Sequence, residues 1–294
     1  MEKTRRFIEK ILVNLESRRL VTPALREAGI GVHPNKSALF RLWRKCAQVS
    51  LAESRNKGSY ELSMLLMNYV SVVDNYIDNH QSVLEQIGRD VKNHLPATKF
   101  LRFAIKSGGA RLPSSRVRGI VTAANRFRNQ SLDAIKVLRK LKGEHKIDQL
   151  LKYRNITSGG FGELIARIAN DVHEVPPDLA QRIETTFRHK LLADQYVDDF
   201  IDLLEDYRGG VENIVVSELK NNGELGALKH NNIRGKNVTF SKFAELAPKS
   251  HRNLMVRLDG HLNAISDVAE GNRGIIGILT HEKTRIATAS VNEI

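Results

Sequence analysis

The sequence predicts an all-α fold, and three observations predict it. Apolar residues recur at helical spacing along most of the 294 residues, and no alternating apolar and polar run is long enough for a sheet. Glycine and proline gather at a few points, among them Gly29 to Pro34, Gly108 to Pro113, Pro176-Pro177 and Gly209-Gly210, and so punctuate long segments. No internal repeat interrupts this pattern.

Composition bounds the class. With 41% hydrophobic and 27% charged residues, the chain is expected to be globular and long enough for a sizeable core. It reads as one helical domain over residues 1–294, with residues 1–35 a peripheral N-terminal segment. The single cysteine, Cys46, excludes an internal disulfide and reads as a small core residue beside Trp43. No apolar run reaches the roughly 20 residues that span a bilayer, and no signal peptide precedes the basic start, so a cytoplasmic location is expected. Phe7, Ile11, Leu12 and Leu15 share one stripe of the first segment, which suits a peripheral helix or a membrane-surface contact. The formal charge of +13, from 46 Lys and Arg against 33 Asp and Glu, admits three partners: nucleic acid, anionic lipid, or a diphosphate substrate. Oligomeric state is left open.

The elements run in order along the chain. A helix over about 37–53 holds Leu39, Trp43 and Cys46, and a long helix from Ser59 carries Leu62, Leu65, Leu66, Tyr69, Val73 and Tyr76 inward and passes Asp78 before Pro96. A helix over about 116–142 bears Arg126, Arg128, Lys136, Arg139, Lys140 and Lys142. It is the best nucleic-acid candidate, yet Phe127 alone offers a ring to stack on bases, so a solvated basic face is favoured and nucleic acid is an unlikely partner. Residues 148–171 read as helix despite Gly159, Gly160 and Gly162. Interior glycines cost about 1 kcal/mol each relative to alanine, so three need a reason: close backbone approach, whether room for an apolar ligand or a local helix break, or else a plain loop. Pro177 suits a first helical turn, and the helix it opens runs to the stop at Gly209-Gly210. A polar stretch over 221–236, helices over about 241–246 and 251–270, and a tail after Arg273 left open between helix and loose chain complete the sequence.

Two acidic segments carry the chemistry. On a helix, Asp194, Asp198, Asp202, Glu205 and Asp206 fall within about a third of the circumference, while Tyr196, Val197, Phe200, Leu203 and Leu204 take the opposite side. Such a column repels itself unless cations fill the space in front of it, and carboxylates with retained waters suit Mg²⁺ bridging to a phosphate. Upstream, Asp74 and Asp78 share one helix face, so two acidic helices are expected to face each other and hold Mg²⁺ through Asp74, Asp78, Asp198, Asp202, Glu205 and Asp206. The plain alternative is that each is the solvated face of an amphipathic helix.

The run Gln195-x-x-Asp198-x-x-x-Asp202-x-x-Glu205-Asp206-x-x-x-Gly210 resembles the second aspartate-rich motif of squalene and phytoene synthases, and residues 72–78, VVDNYID, resemble the first. Tyr153-x-x-x-x-Ser158-Gly159-x-Phe161-Gly162 lies between them and is similar to the tyrosine and small-residue helix motif of that family. In places the likeness is closer to tetraprenyl-β-curcumene synthase-like terpene synthases, at residues 76–79, 200–202, Glu205-Asp206, Gly210 and Asn213. The resemblance implies an isoprenoid-synthase-like helical bundle with a central active-site cavity, and an Mg²⁺-dependent class I enzyme that ionises a prenyl diphosphate and releases diphosphate. It also implies catalytic roles for Asp74, Asp78, Asp198, Asp202 and Asp206, and substrate contacts from Tyr153, Gly159, Gln195 and Asn213. Val211-Glu212-Asn213 stands where phytoene synthases carry an arginine and Tyr-Leu-Pro, which favours a terpene cyclase over head-to-head condensation. Arg154 and Arg208 are added as candidates for the diphosphate, since a planar guanidinium donates two hydrogen bonds at once; an ordinary surface charge is the alternative for each. A basic nucleic-acid-binding protein and a non-catalytic relative are the other readings.

Overall fold

The computed structural model describes residue 49 and residues 114–140, 147–211, 213–226 and 238–291. The peripheral N-terminal segment, the environment of Trp43 and Cys46, and the helix expected to carry Asp74 and Asp78 lie outside the described residues. What is described is all-α, as the periodicity predicts. The helices are α1 Ser114–Lys140, α2 Ile147–Arg154, α3 Gly160–His173, α4 Pro177–Ile201, α5 Leu203–Gly209, α6 Ile214–Asn221, α7 Phe240–Leu246, α8 Pro248–Asp267 and α9 Arg273–Thr288. Among the described residues the extended pairing is an isolated antiparallel bridge between Thr239 and Ser290. The tail after Arg273 is therefore helix, capped by Asn272, whose side chain accepts from the Ile275 N–H at 3.0 Å.

Contacts divide the chain into two compact units, Met1–Arg128 with Leu164–Ala180, and Asn129–Glu163 with Gln181–Ile294. In the first, Ile120, Leu164, Ile165, Ala166, Ile168, Ala169 and Val172 are buried. Arg116 donates to the Asp171 carbonyl at 3.0 Å and pairs with Glu174 at 3.1 Å, closing the C-terminal end of α3, where the helix dipole favours a cation. Pro177 sits in the first turn of α4, where its missing N–H removes nothing from the helix.

The second unit is built on α4 and α5. Tyr196, Val197, Phe200, Leu203 and Leu204 are all buried, as the two-faced pattern predicts, and join Ile214, Val215, Leu219, Phe243, Leu254 and Leu258 in one core. Phe200 stacks on Phe240 with centroids 4.0 Å apart and meets Phe243 edge-on at 5.4 Å. Each such ring contributes about 1.5–3 kcal/mol by leaving water.

The glycine-rich stretch is helical throughout, with a π-helical turn at Asn155–Gly159 between α2 and α3. A π turn inserts one extra residue and commonly marks a functional region. The close approach is to backbone: a Cβ on Gly162 would lie 2.2 Å from the Phe187 carbonyl oxygen of α4, and one on Gly159 would lie 3.1 Å from Leu192 Cδ1. The glycines thus let α3 and the π turn press against α4, and the bulky neighbours are Phe187 and Leu192 themselves.

Between α4 and α8 the Nδ1 atoms of His189 and His261 lie 3.0 Å apart, beside the Tyr196 ring at 5.6 Å from His261. One ring must donate and the other accept, so the pair cannot be doubly protonated without repulsion. Burial, then the nearby His189, Arg188 and Arg257, push His261 down from its ordinary value to about 4.

Gly162→Ala should lower stability to urea by about 3 kcal/mol or more, because a carbonyl cannot move 1 Å without breaking its helix, whereas Gly277→Ala on the open side of α9 should gain about 0.5–1 kcal/mol. Equal stabilities would show that α3 does not approach α4 as described. The depressed His261 means that the unfolded chain binds the extra proton first, so stability is full above pH 6.5 and falls as pH drops towards about 4. The loss should reach at most about 3 kcal/mol, and His261→Asn should flatten denaturation midpoints across that window.

Candidate functional site

The acidic column is bent at its middle. The chain passes from α4 to α5 through Asp202 at φ −92° and ψ 11°, yet Asp202 N–H still donates to the Asp198 carbonyl and Asp206 N–H to the Asp202 carbonyl, each at 2.9 Å. The expected single helix is therefore two helices joined in register, ending where Gly210 adopts the left-handed φ of 67° that glycine tolerates.

The bend sorts the carboxylates into three environments. Asp194 and Asp198 meet α9: Arg285 bridges them, through Nη1 to Asp194 and Nη2 to Asp198 Oδ1 at 2.5 Å. Lys190 stands behind, 2.5 Å from Asp194 and 3.0 Å from Glu282, with both Lys190 and Glu282 buried. Burial works to raise the Glu282 pKa, but Lys190 and its hydrogen bonds hold it at about 2; burial pushes Asp194 up against the pull of Lys190. Asp198 is half exposed, Asp202 half-buried and Glu205 exposed. Asp206 turns the other way and accepts from Asn213 Nδ2 at 2.8 Å.

At the centre is a residue that the sequence pattern did not single out, Asp199. Its side chain is 3% exposed and accepts from Gln195 Nε2 at 2.6 Å, from the Ile214 N–H at 2.7 Å and from Arg154 Nη2 at 3.5 Å. Burial pushes its pKa up, against the Arg154 guanidinium and the Ile214 and Gln195 hydrogen bonds that pull it down. Gln195 in turn accepts from Ser158 in the π turn at 3.0 Å. Asn213, 1% exposed, caps α6 by accepting from the Val216 N–H at 3.0 Å and donates to the Asp199 carbonyl at 2.6 Å.

The structure thus brings Arg154, Gln195, Asn213 and Asp206 together around Asp199. Tyr153 is half-buried, with the Arg154 guanidinium carbon 5.5 Å from its ring centroid, and Gly159 is buried under Leu192. Arg208 is exposed at the end of α5. Asp74 and Asp78 lie outside the described residues. A sequence signal for Asp199 existed: adjacent aspartates put their carboxylates about 100° apart on a helix, so Asp198-Asp199 had to place one of them toward the packed side. Arg285 lay in the tail whose structure the sequence left open.

Among the described residues no three His, Cys, Asp or Glu side chains converge on a metal position. Magnesium, however, is usually held by one or two carboxylates with water and substrate phosphate completing the shell. Asp198 and Asp202, four residues apart across the α4–α5 junction, supply oxygen donors of that kind, with Asp198 held by Arg285 as Asp206 is by Asn213 and Asp194 by Lys190. Among the described residues no helix is long and apolar enough to cross a membrane.

No protein-family model matches the sequence, and no curated protein matches it. Solved structures do. A geranylgeranyl pyrophosphate synthetase from Pyrococcus horikoshii Ot3 matches with a TM-score of 0.60 and 12% identity over 96% of this chain and 99% of its own. One from the archaeon Geoglobus acetivorans gives 0.59 and 12% over 95% and 96%. A polyprenyl synthetase from Streptomyces coelicolor A3(2) gives 0.50 and 13% over 93% and 91%. At these identities the likeness establishes the fold: the chain has the helical fold of the isoprenoid synthases.

Asp199→Ala should lower the urea-derived stability by about 3 kcal/mol, since it strands the buried Ile214 N–H and the half-buried Gln195 amide together. Glu205→Gln, at an exposed position, should stay within about 0.5 kcal/mol of the wild type. A tolerant Asp199 would mean that the network is ornamental.

Proposed function

We propose that the chain is a class I isoprenoid synthase that ionises a prenyl diphosphate. The observation that carries the reading is the placement of Asp198 and Asp202 four residues apart across the junction of α4 and α5 in this fold, with Gln195 and Arg154 both bound to the neighbouring Asp199. Asp198 and Asp202 would hold Mg²⁺, with Asp74 and Asp78 as the second set and Glu205 in support. The metal, when bound, neutralises the departing diphosphate and so lowers the barrier to breaking the allylic C–O bond.

The protein's own residues prepare that step. Asp199 keeps Gln195 and Arg154 in one orientation, so that neither side chain loses much freedom when it meets a substrate. Arg154, partly buried beside the Tyr153 face, and Arg208, at the exposed end of α5, offer planar forks for diphosphate oxygens. Asn213 locks α6 to the Asp199 carbonyl, which holds α5 and Asp206 against the site.

The fate of the cation divides the reading. The Val211-Glu212-Asn213 run favours cyclisation. The solved neighbours, described as geranylgeranyl pyrophosphate and polyprenyl synthetases, support a second reading in which the cation is joined to another prenyl diphosphate. Incubation of the full chain with C15, C20 and longer prenyl diphosphates and Mg²⁺, with and without isopentenyl diphosphate, and then mass spectrometry of the organic extract, separates them. A cyclic hydrocarbon or alcohol from one diphosphate supports the cyclase; a diphosphate lengthened by five carbons supports the transferase. Asp202→Asn should slow diphosphate release about a hundredfold or more, equivalent to about 2.7 kcal/mol of transition-state stabilisation. Absence of diphosphate release from every substrate, by a folded protein, would overturn the proposal.

A further inference from the structure

Arg285 answers a charge problem that the sequence posed. The acidic column needs a cation in front of it, and α9 delivers one from 87 residues beyond Asp198. Lys190 already serves Asp194 and Glu282, so the second nitrogen of the Arg285 fork is what reaches Asp198. The guanidinium is itself mostly buried, 28% exposed, and lies 3.9 Å from Glu282 Oε2 as well. A delocalised planar cation that spans two carboxylates is pre-organised for that position and does not lose its charge.

We propose that Arg285 is the resident counter-cation of the second acidic segment, and that it must release Asp198 before that carboxylate can serve a divalent cation. The inference rests on the reading of Asp198 as a metal ligand. Arg285 then sets the metal concentration at which the site fills: its positive charge stands where the incoming charge must come, and its hydrogen bond occupies Asp198 Oδ1. Removal of the guanidinium should tighten metal binding, whereas an Arg285 that only shapes the site for metal would weaken it on removal.

The test uses Mn²⁺ as probe, with free Mn²⁺ followed by electron paramagnetic resonance on the full chain without substrate. Arg285→Gln should bind about tenfold more tightly than the wild type, and addition of Asp198→Asn should abolish the gain. Lys283→Gln removes the same charge from the exposed side of α9, away from both carboxylates, and should shift affinity less than twofold. Since loss of Arg285 leaves Lys190 alone to serve both Asp194 and Glu282, Arg285→Lys is measured beside it. Lysine keeps a cation near Asp194 but cannot present a two-nitrogen fork, and a gain of about threefold is expected. Affinity that depends on Asp198 yet is unchanged or weakened in both Arg285 variants overturns the proposal alone. Affinity indifferent to Asp198→Asn overturns the metal reading and the proposal with it.

Discussion

The buried Asp199 carboxylate is the constraint on which the second unit depends. A charge at 3% exposure is tolerable only when donors meet it, and here they arrive from three places in the chain: Arg154 before the π turn, Gln195 one turn back on α4, and the Ile214 N–H at the start of α6. Because each donor belongs to a different segment, satisfying the carboxylate also fixes their register. Asn213 repeats the tactic one residue earlier, capping α6 while gripping the Asp199 carbonyl. The polar network therefore does for this region what side-chain interdigitation does for the Phe200, Phe240 and Phe243 cluster beside it.

Fold class was legible because helical periodicity is a local property. The packed face of α4 and α5, the stop at Gly210 and the pair of helices after residue 240 all derive from spacing and from end signals. The π turn and the bend at Asp202 were not legible, since both depend on what α2, α3 and α4 press against. Gly162 shows the limit well: its sequence context announced close approach, but only the fold shows that the partner is the Phe187 carbonyl.

Of the candidate site, the residue types were readable and their partners were not. Five acidic residues at helical spacing look equivalent on a wheel, yet the structure commits Asp194 to Lys190, Asp206 to Asn213 and Asp198 to Arg285. Lys190 lies one turn back on α4 itself, but Asn213 and Arg285 come from other elements, Arg285 from the tail that the sequence left open between helix and loose chain. An acidic column read alone therefore overstates how many of its members are available to a ligand.

The clasp at the end of the chain bears on how quickly this arrangement can change. Helix α9 starts at the Asn272 cap and ends where Ser290 pairs with Thr239 and the Val291 N–H donates to the Val238 carbonyl at 3.0 Å. A helix that follows α8 through the turn at 268–272 and is paired to another segment at its far end has little room to slide and withdraw one side chain. The proposed release of Asp198 is then a turn of Arg285 about its own side-chain bonds, not a helix shift of microseconds to milliseconds.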